Sequence, residues 1–245
     1  MTNRQIIIIE SGFTGLARKG AEIFSRAANE SIENRGHFSV AISGGSTPRS
    51  MHSMLGEEPF YSDIPWNKTD LFWVDERCVP KNHPDSNFGA AKKDFLDRIP
   101  IPKGHIHPLQ EGLSDEESAL WYQQKLIKFF QRKEIEFPLF DLIFLGIGTD
   151  GHTASLFPGQ SALNEMKRWV VAVKGGNPDV NRLTLTFPVI NRGRQIVFMI
   201  SGKEKASVVK TALKGFQPGL PAQLVQPLKG TLTWLLDREA ASLLD

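Results

Sequence analysis

The sequence predicts an α/β fold, a doubly wound, mostly parallel Rossmann-like sheet with helices on both faces. Short runs rich in Ile, Val and Phe lack polar alternation, as expected of strands buried on both sides. These runs alternate with segments of helical period, the pattern of β-α units rather than of a sandwich or a bundle. The chain has 245 residues, 40% hydrophobic and 23% charged, ordinary for a globule with a sizeable core. No repeat, low-complexity stretch or linker interrupts it, so residues 1–245 are read as one domain.

The first element is "QIIIIE" (5–10), a short buried strand. "GFTGLARKGAEIFSRAANESIENRG" (12–36) follows, with Leu16, Ile23, Phe24, Ala27 and Ala28 at helical spacing and Gly36 where a C-terminal cap belongs. "FSVAI" (38–42) is the second strand, and a short helix opened by Pro48 comes after its loop. "LFWV" (71–74) is the third strand, a helical segment spans about 114–133, and "DLIFLGI" (141–147) is the fourth strand. "WVVAV" (169–173), "RLTLTF" (182–187) and "IVFMIS" (196–201) read as further strands, and "KEKASVVKTAL" (203–213) as a helix. "TLTWLLDREAASLL" (231–244) reads as a strand and then a helix capped by Asp237. "GEEPFYSDIPWNK" (56–68) and "PKNHPDSNFG" (80–89) read as surface loops.

A net charge of +2 gives no global attraction to nucleic acid or to a membrane surface, so anion binding has to be local. One cysteine, Cys78, excludes an intramolecular disulfide and a cysteine-based metal cluster. The four N-terminal isoleucines are too few for a secretory apolar region, and no apolar run approaches the ~18 residues that span a bilayer. A cytoplasmic location is expected.

Four polar signatures each follow a buried strand: "SGGSTP" after 38–42, "DER" after 71–74, "GTDGH" after 141–147 and "SGKEK" after 196–201. Ligands of open parallel sheets bind outside the carboxyl ends of the strands, so the four loops can surround one pocket. In "SGGSTPR" (43–49), Gly44 and Gly45 permit close approach, Ser46 and Thr47 bring hydroxyls, and free helix amides favour a phosphate. It is equally readable as a tight strand-to-helix turn with Thr47 as N-cap, and it is not a P-loop, because no lysine follows. Arg182 and Lys205 are candidate partners for the phosphate, or else solvated surface charges. Arg77 offers an always-charged planar group near developing negative charge, or else it braces a charged loop through a carboxylate.

"FDLIFLGIGTDGHTASLFPG" (140–159) contains Gly146-x-Gly148-x-x-Gly151 directly after a strand, the dinucleotide spacing. Its context fails that reading: the next strand runs into Lys174-Gly175-Gly176 rather than an acidic residue, and Asp150 is unfavourable beside a pyrophosphate. What remains is a loop presenting Asp150 and His152, where a histidine can act as general base and a carboxylate can orient it. The competing reading is a histidine that caps a following helix. His105 and His107 form an H-x-H pair without a third ligand, and His83 lies in a loop, so no metal site is expected.

Taken together, "FSVAISGGSTP", "WVDERCVPKNHPDSNFG", "FDLIFLGIGTDGHTASLFPG", "RLTLTFPVIN", "SGKEKA" and "PAQLV" resemble the 6-phosphogluconolactonase family of the glucosamine/galactosamine-6-phosphate isomerase superfamily, over almost the whole chain. The resemblance implies hydrolysis of a sugar-phosphate lactone, 6-phosphoglucono-1,5-lactone, with His152 as base, Arg77 at the oxyanion and Asp150 orienting His152. Glu76 competes with Asp150 for that last role. The phosphate would lie on Gly44, Gly45, Ser46, Thr47, Arg182 and Lys205, with Asn87 of "DSN" in the sugar pocket. No cofactor and no metal are expected, nor a nucleic-acid or membrane partner. The oligomeric state is left open and is compatible with a monomer. Amino-sugar phosphate deaminases of the same superfamily read D-G-H-I-A-F-N-E-P, with a glutamate where this chain has Phe157. A non-catalytic sugar-phosphate sensor would ordinarily carry a helix-turn-helix, for which the strand near the N-terminus leaves no room.

Overall fold

The computed structural model describes residues 4–131, 136–215 and 219–244. In chain order the elements are β1 (Arg4–Glu10), α1 (Phe13–Arg35), β2 (Phe38–Ile42), α2 (Ser46–Leu55), α3 (Phe60–Asp63), β3 (Thr69–Trp73) and β4 (Asp75–Arg77). Next come α4 (Asn87–Ala91), α5 (Asp115–Phe130), β5 (Leu142–Leu145), β6 (Val170–Gly175), β7 (Val180–Leu185) and α6 (Phe187–Ile190). β8 (Gln195–Ile200), α7 (Ala206–Lys214) and β9 (Thr231–Asp237) complete the series.

Six strands form one parallel sheet in the order β1-β9-β8-β5-β2-β3. Successive side chains of a strand point to opposite faces, and here both faces are buried. Val40, Ile42, Leu71, Trp73, Leu142, Phe144, Val197 and Met199 pack with α1, α2 and α3. Ala41, Phe72, Ile143, Leu145, Ile196 and Phe198 face the other way, toward α5, α6 and α7. Away from the edge strand β1, this double burial is why the strands read as predominantly apolar runs. The five residues of the α1 pattern are all buried, and Gly36 ends that helix at φ 80° with its N–H on the Ile32 carbonyl at 2.9 Å.

Several expectations are corrected. β6 and β7 leave the parallel sheet and form an antiparallel three-stranded sheet with β4, in the order β4-β7-β6. β1 is not buried: it is an edge strand in which Ile7 and Ile9 are half-exposed. The helix expected after Asp237 is a pair of turns, because the Asp237 carboxylate also accepts from Gly202 N and Ser201 Oγ and so draws the chain toward the end of β8. The 56–68 loop holds α3 and a 3₁₀ turn, since Phe60, Ile64 and Trp66 are buried. The 80–89 loop ends in α4, with Ser86 as its N-cap. Positions 132 and 133 of the segment expected to be helical lie outside the described residues; α5 ends at Phe130. Among the described residues no helix is long and apolar enough to cross a membrane.

Candidate active site

β8, β5, β2 and β3 are consecutive in the sheet, so the loops that follow them stand side by side at its carboxyl edge. From β2 the chain continues to β3 on one side, and from β5 to β8 on the other. That reversal opens a crevice between the two loops, the place where open α/β sheets bind ligands. A cavity of about 220 Å³ fills it, lined by Gly44, Gly45, Ser46, Thr47, Arg77, Asn87, His152, Arg182 and Lys205. The residues the sequence assigned to the site therefore line one cavity, except Asp150, which stands behind His152, and its competitor Glu76, which does not reach the cavity.

At one end of the cavity α2 begins. Its N-cap is Gly45, at φ 102°, and no side chain caps the helix. The expected N-cap, Thr47, is instead the second helical residue, and Pro48 the third. The first-turn amides and the Ser46 and Thr47 hydroxyls are thus presented at the positive end of the helix dipole. Gly44 has a reason other than ligand approach: a Cβ there would fall 1.8 Å from Asn87 Oδ1. Asn87 is fixed against it by donating Nδ2–H to the Asp75 carbonyl at 2.8 Å.

Three cations reach the cavity, and among the described residues none of Arg77, Arg182 and Lys205 makes an ion pair. Arg182 is 4% exposed and donates Nε–H to the Gly175 carbonyl and one Nη2–H to the Pro178 carbonyl. Burial, and then the charge of Arg77, push its guanidinium below the ordinary arginine value, while Asp75, Asp85 and Glu76 act in the opposite sense. An anion beside the two arginines would relieve that repulsion. Arg77 and Arg182 are register partners across β4 and β7, which puts the like charges together.

The loop after β5 carries the His152–Asp150 pair. Asp150 Oδ1 lies 2.6 Å from His152 Nδ1 and also accepts the His152 backbone N–H at 3.1 Å. Burial works toward a raised carboxyl pKa, but the His152 backbone N–H, ring charge and ring hydrogen bond together hold Asp150 below its usual range. A carboxylate on Nδ1 selects the tautomer whose proton is on that nitrogen, leaving the Nε2 lone pair to accept one. Gly148 makes room for the pair, since a Cβ would lie 2.1 Å from Nδ1 and 2.5 Å from the Asp150 carboxylate. So the central glycine of the dinucleotide-like spacing serves a His–Asp pair, while Gly151 turns at φ 83° against Leu220. No helix begins in residues 149–160, which removes both the pyrophosphate reading and the capping-histidine reading. Phe157 packs its ring on His152 at 4.7 Å and under the Arg182 guanidinium at 5.8 Å.

"DER" is strand β4 rather than a loop. Glu76 does not meet His152; its carboxylate accepts from Arg77 N, Asn87 N, Ser86 Oγ and Phe88 N. Burial raises its pKa against those three backbone donors. Arg77 donates Nη1–H to the Asp85 carbonyl at 2.6 Å, and its Nε is buried without a partner. Asp75 also lines the cavity and accepts from Ser155 Oγ at 2.6 Å. Sequence reasoning assigned Asp75 no role, although its place directly after a strand was the available signal. His105 and His107 gather on Asp70, away from this cavity. Among the described residues no three His, Cys, Asp or Glu side chains group as metal ligands.

A family model described as glucosamine-6-phosphate isomerases/6-phosphogluconolactonase matches residues 13–234. The chain is 42% identical to 6-phosphogluconolactonase of Synechocystis sp. over 215 residues, covering 86% of each chain. It is 39% identical over 239 residues to a probable chloroplastic 6-phosphogluconolactonase of Oryza sativa subsp. indica, covering 94% of this chain and 72% of that one. The solved structure of 6-phosphogluconolactonase from Trypanosoma brucei superposes over 100% of both chains with a TM-score of 0.89 at 27% identity. The matched range runs from α1 into β9 and takes in every strand between them, so the chain belongs to the glucosamine-6-phosphate isomerase/6-phosphogluconolactonase family.

Proposed function

We propose that the protein hydrolyses 6-phosphoglucono-1,5-lactone to 6-phosphogluconate, a step of the oxidative pentose phosphate pathway, in the cytoplasm. The observation that carries the reading is a histidine whose Nδ1 is held by a carboxylate, set in one cavity with an uncapped helix N-terminus and three cations that make no ion pair among the described residues. The curated relatives named above carry the same activity in their names.

The 6-phosphate lies on the α2 amides and hydroxyls with Arg182 and Lys205, which sets the lactone carbonyl toward His152 and Arg77. His152 Nε2 takes a proton from water as the water oxygen bonds to C1. Arg77 faces the resulting oxyanion, where a fixed donor is most effective. Collapse breaks the bond from C1 to the ring oxygen, and His152 returns the proton to that oxygen. The new carboxylic acid then ionises. Asp150 keeps the ring in its tautomer and stabilises the imidazolium. General-base assistance of about 10²–10⁴-fold, together with positioning, suffices for an ester that also hydrolyses unaided.

Phe157 disfavours an amino-sugar deaminase, since an apolar ring occupies the position from which a carboxylate would assist ring opening. The test generates the lactone in situ from glucose 6-phosphate with its dehydrogenase and follows 6-phosphogluconate with wild type, His152→Ala and no enzyme. Acceleration by wild type alone supports the proposal. A wild type that matches the blank overturns it, and glucosamine 6-phosphate becomes the next substrate to assay.

A further inference from the structure

We infer that Glu76, which touches neither the cavity nor His152, is a positioning residue that holds both ends of the Arg77 side chain. This rests on the lactonase reading of the site.

Arg77 is held at two points. At its backbone, the N–H donates to Glu76 Oε1 at 2.7 Å. At its tip, Nη1 donates to the Asp85 carbonyl. That carbonyl belongs to a loop with its own tether, because the next three residues all bond the same carboxylate. Ser86 Oγ and Phe88 N donate to Oε2 at 3.1 and 2.7 Å, and Asn87 N donates to Oε1 at 2.7 Å. One carboxylate therefore fixes the root of Arg77 and the acceptor on which its guanidinium rests. With Nε buried and unpartnered, the Asp85 carbonyl is the fixed point of the head group among the described residues.

The chemistry requires a carboxylate. Two oxygens with four acceptor directions match four converging donors. A glutamine offers one acceptor oxygen, and its amide nitrogen would face N–H donors on the other side. An aspartate is one methylene short of the 86–88 backbone. Glu76 is 4% exposed, so water does not readily replace the lost bonds. Asn87 is less dependent on Glu76, because its side chain is independently tied to the Asp75 carbonyl and packed on Gly44.

The test is a double-mutant cycle between Glu76→Gln and Arg77→Ala in the coupled lactone assay, with thermal melts of each protein. Displacing a reacting group by an ångström costs about 100-fold, so Glu76→Gln is expected to lower kcat about that much, with KM within about threefold. Because the effect acts through Arg77, adding Glu76→Gln to Arg77→Ala should lower kcat by less than about threefold more. Equal losses in both backgrounds, or a Glu76→Gln enzyme with wild-type kcat, overturn the inference. If Glu76→Gln does not fold, Ser86→Ala removes one of the four donors and is read in the same cycle: a fall in kcat that vanishes beside Arg77→Ala supports the inference, and one that persists overturns it. A wild type without lactonase activity overturns the functional reading itself, an outcome distinct from an active wild type indifferent to Glu76.

Discussion

His152→Ala is expected to lower kcat by about 10²–10⁴-fold with little change in KM, because it removes a proton acceptor that works in the transition state. Arg182→Ala and Lys205→Ala act on the other end of the substrate. A charge-assisted hydrogen bond contributes about 1.5–3 kcal/mol, so each should raise KM by about tenfold or more in initial-rate measurements, and an unchanged KM in both would remove them from the phosphate site. His152 and Lys205 were legible in the sequence because each lies within a few positions of the carboxyl end of a parallel strand, and those ends meet at the sheet edge; Arg182 reaches the site instead from inside β7, beside Arg77. What the sequence could not give was the choice between Asp150 and Glu76. Both are carboxylates close to the site in sequence, and only the 2.6 Å contact on Nδ1 and the four donors around Glu76 separate their roles.

The loop after β5 shows what an element adds. Gly148→Ala keeps every titratable group, yet its Cβ would intrude on the His152–Asp150 pair. It should lower kcat by about 100-fold through displacement of the histidine, measured beside a far-ultraviolet spectrum that remains native. Apart from the edge strand β1, the strands of the parallel sheet were legible because double burial keeps their runs predominantly apolar. Strand direction was not, and β6 and β7 pair antiparallel through partners no local pattern specifies. Nor was the fate of the segment after Asp237, whose residues favour a helix; a tertiary bond to the end of β8 ends the pattern in turns. The isoleucines of β1 likewise announce a strand but not its place at the edge.

For the whole molecule, acid stability should be governed in part by His52, which lies on α2 but does not line the cavity. It is fully buried against Phe95, its Nε2 has no partner among the described residues, and burial lowers its pKa from 6.5 to about 4, Asp94 opposing and Arg49 assisting. Between these values the unfolded chain binds a proton that the folded chain refuses, so stability falls as pH drops below 6.5 and levels off below about 4. The loss at pH 5 amounts to about 2 kcal/mol. Urea midpoints at pH 7 and pH 5 should show it in wild type, and His52→Leu should reduce the difference; an identical pH dependence in both would assign the acid sensitivity to other groups. The pairing of β1 with β9 has a consequence for synthesis. As the polypeptide leaves the ribosome, the isoleucine-rich strand β1 emerges before every other strand among the described residues, and β9, the neighbour that completes its ladder, after them. Throughout translation the nascent chain carries a sticky, unpaired segment shielded chiefly by α1, so its yield in cells should depend on chaperone supply more than its final stability suggests.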